Sequence, residues 1–296
     1  MTDYGQIVSS HPWFRKYLAV YSVDRREWLE YQAKRLEKQD KIFFPGGMGI
    51  IKNSSFLSRF FGKSFSDFTM IREEEGLDPM ALLETIKEII RLRGLSHLAL
   101  KVPEEFRTGM LLEGISIIPV ITSRKMVMTL SGRTESPETE GILKGASFPR
   151  DFLAQVSREY GESRFHYDPG FRKKDISDLF LTWLENSLKD PCVTALLDPG
   201  KGLLLLKTHD ILKSRIGEIL FIHVLSKARN SGTGRRLINR GLSELCSSRC
   251  GIAEVKLTAE NSGAELFYEK IGFSKFLDEK TYHFGSKSVV RVKQRG

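Results

Sequence analysis

Residues 219–234 combine an apolar segment, a basic side chain and two glycines in an order suited to binding a diphosphate. The apolar, partly β-branched start of this stretch fits a buried strand, and a helical run from Arg235 to Leu245 follows it. Gly232 and Gly234 let the backbone approach a ligand closely. The loop amides, the dipole of the helix and Arg229 all favour an anion. The pattern therefore predicts a diphosphate site between a strand and a helix.

Two common diphosphate motifs do not fit this stretch. The dinucleotide fingerprint G-x-G-x-x-G fails because Leu237 stands where its third glycine belongs. The P-loop fails because no Gly-Lys-Ser or Gly-Lys-Thr follows. A different diphosphate-binding loop is therefore indicated.

A second pattern lies downstream, where the strand Val255–Thr258 leads into a short helix that contains Tyr268. Asn261 is a good N-cap for this helix, and Gly272 terminates it. Together the two patterns resemble the signatures of the GNAT N-acetyltransferases, R/Q-x-x-G-x-G/A and N-x-x-A-x-x-x-Y-x-x-x-G-F, in the order that this family shows.

The resemblance to the GNAT family implies acetyl-CoA as co-substrate. The glycine loop would bind its diphosphate, Asn261 would bond the pantetheine arm, and the thioester oxygen would meet a backbone N–H near His223 or Val224. The residues that the resemblance assigns to the co-substrate are Ile222, His223, Val224, Arg229, Asn230, Ser231, Gly232, Thr233, Gly234 and Asn261.

The same resemblance makes Tyr268 the candidate catalytic acid. A thiolate leaving group has a free pKa of about 8.5, so a tyrosine hydroxyl with a pKa of about 10 is an acceptable proton donor. The general base stays open between Glu218 and His223, acting directly or through water.

Two further segments are similar to those of bacterial sugar-nucleotide N-acetyltransferases, the group of TDP-fucosamine acetyltransferase. They are Ser163–Asp168 and Phe180–Lys189, and Arg59–Gly62 is similar to the opening of that group's truncated N-terminal domain. A nucleotide-linked amino sugar is therefore the expected small-molecule substrate, with Arg164 and Asn186 as the residues that would contact it. The alternatives are a GNAT that acetylates a peptide or polyamine, and a catalytically silent GNAT that binds CoA or a partner protein.

We expect an α/β protein with the GNAT fold, a mixed, splayed central sheet flanked by helices, preceded by a truncated GNAT-like α/β domain. Strands at Ile115–Ile121 and Lys125–Leu130 would close the first domain, which lacks both signatures and should not bind acetyl-CoA. The predicted division is residues 1–45, an extension of unknown role; 46–131, the truncated domain; 132–147, a linker; and 148–296, the acetyl-CoA-binding domain. In the extension, a helix from Asp24 to Gln39 has apolar residues too sparse for a core helix.

Composition excludes several other classes of protein. The net charge of +9 is spread among acidic residues, which argues against a nucleic-acid partner and suits phosphorylated ligands. No apolar run reaches the ~20 residues of a membrane span, and no secretory signal is visible. Three cysteines predict a reducing, cytoplasmic location, and the histidines show no spacing for a metal. The oligomeric state stays open.

Overall fold

The computed structural model describes residue 11 and residues 14–21, 24–130, 140–145 and 148–285. Within these ranges, no helix has the length and apolar character that a membrane crossing requires. The strands are β1 (Asp40–Phe44), β2 (Gly47–Asn53), β3 (Phe65–Glu73), β4 (His97–Pro103), β5 (Ile121–Thr129), β6 (Leu143–Lys144), β7 (Val193–Asp198), β8 (Gly202–Ile211), β9 (Ser214–Val224), β10 (Ile252–Thr258) and β11 (Ser274–Gly285). The helices are α1 (Phe14–Tyr21), α2 (Arg25–Glu37), α3 (Ser55–Phe61), α4 (Pro79–Leu92), α5 (Thr108–Gly114), α6 (Arg150–Glu159), α7 (Lys173–Lys189), α8 (Thr233–Ser247) and α9 (Ser262–Ile271).

The chain divides into two compact units, which are described separately. Among the described residues, unit 1 contains those up to Arg124 and those from Leu277 onward, and unit 2 contains Lys125–Phe276. These bounds differ from the predicted domains, because β5 continues into unit 2 and most of β11 belongs to unit 1. The predicted linker lies largely outside the described residues.

Unit 1 contains a mixed sheet, and the apolar core against this sheet includes one face of the helix α4. β2 pairs antiparallel with β1 and β3, β3 pairs parallel with β4, and β4 pairs antiparallel with β11. α4 begins where Asp78 accepts a hydrogen bond from the Met80 N–H (2.9 Å) and Pro79 has no N–H to leave unpaired. The apolar face of α4 is buried in the core through Leu82, Leu83, Ile86, Ile89 and Ile90.

Unit 2 is a sheet with helices on both faces. β7, β8 and β9 form antiparallel pairs, β9 pairs parallel with β10, and β5 is the neighbour of β10 on its other side. On one face, α8 and α9 cover a core that includes Met126 and Met128 of β5. On the other face, α6 and α7 cover a smaller core around Phe221.

Three expectations about local structure were wrong. Trp28 and Leu36 of α2 are buried, because large side chains can anchor a helix even when they are few. Residues 115–120 are not a strand, and the two predicted strands are not separate, because β5 is continuous from Ile121 to Thr129 where the sequence predicts a turn at Ser123-Arg124. The sequence also predicts a final strand from near Tyr282 to Val292, but this strand begins at Ser274, and its predicted end lies outside the described residues.

Candidate active site

β9 and β10 separate at the end that carries the predicted motifs. They pair over Ile216–Ile219 and Ile252–Val255, after which β9 continues to Val224 and β10 to Thr258 without pairing with each other. The two strands therefore splay apart, and backbone groups of β9 border the resulting gap.

A β-bulge in β9 decides which side chains face which helices. Leu205 pairs with Phe221 and Leu206 with Ile219, so Leu220 is an extra residue in the strand. Consequently Leu220 and Phe221 both pack with the α6/α7 core, whereas Ile219 packs with the α8/α9 core. The bulge re-aims the strand, so that the next side chain on the α6/α7 face is that of His223.

The N–H and C=O groups of every second residue of β9 face the gap rather than β8. Leu225 donates its N–H to the Lys201 carbonyl (2.8 Å), which continues the antiparallel ladder with β8. In such a ladder alternate residues bond the partner strand, so His223 bonds β8 while Ile222 and Val224 direct their N–H and C=O groups away from it. Of the three predicted backbone contacts, those of Ile222 and Val224 are therefore open to a ligand. The Val224 carbonyl already accepts from Arg229 Nε (3.3 Å).

The predicted diphosphate loop contains a run of backbone amides without protein acceptors. Asn230 and Gly232 both adopt left-handed backbone geometry, with φ of 61° and 80°. Asparagine and glycine tolerate this region best. Among the described residues, no protein acceptor takes the N–H groups of residues 230–235. Successive free N–H groups at a helix start favour an anion.

The two loop glycines leave space in front of these amides. A Cβ at Gly232 would have no neighbour within 4 Å, and a Cβ at Gly234 would lie 3.5 Å from the Phe267 ring and 3.7 Å from Val224. Both are tolerable contacts within the protein. The packing of the chain therefore does not itself require glycine at position 234, which is consistent with close approach by a ligand.

The second motif forms the helix α9 as predicted. Asn261 Oδ1 accepts from the Ala264 N–H (2.9 Å), so the side chain caps the helix while its Nδ2 keeps its donors free among the described residues. Gly272 ends the helix with φ of 110°. The side-chain amide thus caps the helix through its oxygen and leaves its nitrogen available to a ligand.

Tyr268 is a buried tyrosine whose ring is fixed by its neighbours. Phe267 and Phe273 contact it edge-on, with ring centroids 5.3 and 5.2 Å away. Burial raises the pKa of the Tyr268 hydroxyl, and the nearby Tyr160 phenol adds to the rise. In the part of the chain that the structure describes, the hydroxyl makes no hydrogen bond. It is therefore protonated at neutral pH and available to donate.

The structure adds Glu159 and Tyr160, which the sequence did not indicate. Glu159 ends α6 and accepts from the Ser226 N–H (2.7 Å) and hydroxyl (2.8 Å). Tyr160 packs its ring 5.0 Å from Phe221 and 6.4 Å from His223. Both lie more than fifty positions before the start of β9 in the chain, and no motif links them to it.

Glu218, the other candidate base, lies deeper along β9 where the strands still pair. Its register partner on β10 is Glu254, which is buried and accepts from Lys125 Nζ (2.8 Å). Burial raises the pKa of Glu254 to about 7. Glu218 thus shares its surroundings with a second carboxyl, whereas His223 lies at the open end of the gap.

The two residues predicted to contact the acceptor are not joined by a contact in the structure. Arg164 lies in the segment between α6 and α7, with its guanidinium 5.1 Å from the centre of the Phe165 ring. Asn186 is exposed on α7. Among the described residues, no group of His, Cys, Asp and Glu could hold a metal ion.

Comparisons with known proteins agree with this geometry. Residues 206–283, which contain both motifs, match the model of the FR47-like protein family. None of the curated proteins compared matches the chain.

Among solved structures, a GCN5-related N-acetyltransferase from Sphaerobacter thermophilus is 14% identical, with a TM-score of 0.58 over 98% of this chain and 95% of its own. A functionally unknown protein from Staphylococcus epidermidis is 10% identical, with a TM-score of 0.55 over 83% and 94%. The glucosamine N-acetyltransferase region of a fungal multi-domain β-N-acetylglucosaminidase is 12% identical, with a TM-score of 0.55 over 92% and 36%. Together with the splayed strands, these likenesses show that the chain has the fold of the GCN5-related N-acetyltransferases, the GNAT fold.

Proposed function

We propose that the protein is an acetyl-CoA-dependent N-acetyltransferase whose active site is the gap between β9 and β10. The observation that carries the proposal is the coincidence of three features at one end of unit 2. These are the free amides of residues 230–235, the open backbone groups of Ile222 and Val224, and the buried hydroxyl of Tyr268. They suit, in turn, a diphosphate, a pantetheine arm with its thioester, and a thiolate.

The first task of the site is to bind and polarise the thioester. The loop amides and Arg229 would bind the diphosphate, and Asn261 Nδ2 would donate to the pantetheine arm. An N–H of Ile222 or Val224 would donate to the thioester oxygen and stabilise the negative charge that develops on it. Acetyl-CoA supplies the activated acetyl group.

The second task is to balance the protons. When the acceptor amine attacks the carbonyl carbon and the carbon–sulfur bond breaks, the amine loses one proton and the thiolate gains one. Glu218 or His223 would accept the first, and Tyr268 would donate the second. The base then returns its proton to the tyrosinate, directly or through water.

We further propose that the acceptor is a nucleotide-linked amino sugar. The net charge of +9 favours an anionic over a cationic acceptor. Arg164 and Asn186 are the side chains proposed to contact it, and one protein of the same fold is described as acting on glucosamine. The expected cytoplasmic location belongs to the same proposal.

The test is acetyl-CoA turnover, measured as free thiol, across TDP- and UDP-linked amino sugars, a peptide panel and spermidine. We expect turnover with at least one amino sugar and a rise in melting temperature on adding acetyl-CoA. Turnover only with peptides or spermidine would refute the acceptor proposal. Binding without turnover on any acceptor would favour a catalytically silent CoA-binding GNAT.

A further inference from the structure

Glu159 lies beside both the diphosphate loop and a candidate base. Its Oε2 accepts from the N–H and the hydroxyl of Ser226, and it lies 3.7 Å from His223 Nε2. Its Oε1 accepts from Gln155 Nε2 (2.9 Å). The carboxylate is thus fixed from two sides, and one of its anchors is the turn that leads into the loop.

His223 has an unused ring nitrogen directed at this carboxylate. The imidazole is only 7% exposed, and Nε2 has no hydrogen-bond partner among the described residues. At 3.7 Å, Glu159 is just beyond hydrogen-bond distance. The other groups facing the ring are Arg229 from the loop, Tyr160 at the end of α6, and Phe221 on β9.

Resting on the proposed function, we propose that Glu159 is a positioning residue that orients His223 as the general base. The carboxylate holds Nε2–H on its own side, which leaves Nδ1 to accept the proton of the acceptor amine. Glu159 touches neither substrate. It stabilises the imidazolium that forms during attack, and this proton then reprotonates the tyrosinate of Tyr268.

The charges around His223 determine the direction in which its pKa should change when Glu159 is replaced. Burial lowers the pKa of His223, the charge of Arg229 lowers it further, and Glu159 opposes both. Burial also opposes ionisation of Glu159, but hydrogen bonds from Ser226 and Gln155 outweigh it and lower the Glu159 pKa to about 2. Glu159 is therefore charged wherever the enzyme would work. Removing its charge should lower the His223 pKa.

The experiment compares Glu159→Gln with Glu185→Gln in the full chain. A glutamine can still accept the Ser226 hydrogen bonds, whereas Glu185, among the described residues, pairs with the exposed Arg150 (3.0 Å) and contacts neither Ser226 nor His223. We would titrate His223 by NMR, assigned with His223→Gln, and record the pH dependence of kcat. Because a base must be neutral to act, the rate falls as pH drops through its pKa.

In Glu159→Gln we expect the NMR titration and the acid limb of kcat to move together to lower pH. The plateau of kcat should fall roughly ten- to a hundredfold, since general-base catalysis contributes about 10²–10⁴-fold in all. The KM for acetyl-CoA should stay near wild type. Glu159→Asp, which keeps the charge, should restore most of the profile, and Glu185→Gln should change nothing.

Three results would overturn parts of this picture separately. An unchanged NMR titration refutes the pairing of Glu159 with His223. A shifted titration with an unchanged rate profile refutes His223 as the base and points to Glu218. A wild-type protein without turnover refutes the proposed function, and the NMR titration still decides whether Glu159 acts on His223.

Discussion

Units 1 and 2 repeat one arrangement of strands and helices, yet they differ at the loop where a ligand would bind. Each has an antiparallel pair of strands with an extra residue in the second strand, Ile71 in β3 and Leu220 in β9. In each, a helix then leads to a parallel strand that pairs only over its first part. These paired segments are Phe65–Thr69 with His97–Lys101 in unit 1, and Ile216–Ile219 with Ile252–Val255 in unit 2.

The two units differ in the groups that accept hydrogen bonds from the N–H groups at the starts of their helices. In unit 1, Glu73 accepts from the N–H groups of Arg107 (2.9 Å) and Thr108 (2.7 Å) at the start of α5. Asp78 caps α4, whose first residue is proline. In unit 2, α8 starts at a glycine with no side-chain cap, and its amides are left open.

Unit 1 therefore pairs amides at the starts of α4 and α5 with its own carboxylates, whereas among the described residues those at the start of α8 have no protein partner. An acidic run, Glu73-Glu74-Glu75, also replaces the loop with Arg229. The comparison teaches that this arrangement of strands and helices forms with or without a glycine loop at the helix start, because a few loop residues can change while the scaffold stays. We expect acetyl-CoA to bind unit 2 alone.

The largest effect should come from deleting the hydroxyl of Tyr268 in unit 2, whereas deleting a buried hydroxyl of unit 1 should leave turnover near wild type. Tyr268→Phe should lower kcat on the order of 10²–10⁴-fold, because it removes the proton donor and keeps the ring packing. Tyr282→Phe is the matched control in unit 1, where the hydroxyl contacts the Gly109 carbonyl (3.4 Å). Turnover and melting temperature would be measured on the same preparations. Full turnover in Tyr268→Phe would remove it from the catalytic residues.

The second test asks whether unit 2 depends on β5. Met126 is fully buried in the α8/α9 core, so Met126→Ala should lower the free energy of unfolding by about 2–5 kcal/mol. Met110→Ala in unit 1 is the control, since Met110 is 66% exposed and should change stability by less than ~0.5 kcal/mol. Denaturant titrations give both values. Equal losses would contradict the assignment of β5 to this core.

A smaller effect, on acetyl-CoA binding, should follow from replacing one of two glycines that have similar backbone geometry. Gly232 (φ 80°) and Gly76 (φ 84°) both have open space where a Cβ would lie. Asparagine tolerates this backbone, so Gly232→Asn should mainly obstruct the free amides and weaken acetyl-CoA binding roughly 10- to 100-fold, as lost phosphate hydrogen bonds imply. Gly76→Asn should leave binding unchanged. Calorimetry measures both, and equal affinities would refute the loop assignment.

The sequence predicted the local structure around the candidate site and missed the contacts between residues distant in the chain. The loop around Gly232 and the cap at Asn261 are encoded by neighbouring residues, so their spacing alone indicates strand, turn and helix. Glu159 approaches His223 only because α6 packs against β9 and a bulge turns the histidine toward it. Neither packing nor register can be read from a single sequence.

Contacts between residues distant in the chain also explain why the strand predicted before β5 is absent and why the bounds of the units were not predicted. Apolar residues at 115–121 fit a strand pattern, but pairing partners decide whether a strand forms. β4 obtains its partner from β11, with Pro103 opposite Glu279. The residues near β4 in the sequence do not indicate that its pairing strand is β11, which lies far along the chain.

This pairing of β4 with β11 also has a consequence for synthesis on the ribosome. The edge of β4 is made early, yet its partner emerges only after all of unit 2. Such distant contacts slow folding, and an unpaired apolar strand edge invites aggregation while it waits. We expect the nascent chain to depend on chaperones at this stage. Cutting the gene in two between the units would also separate β4 from the strand that completes its sheet.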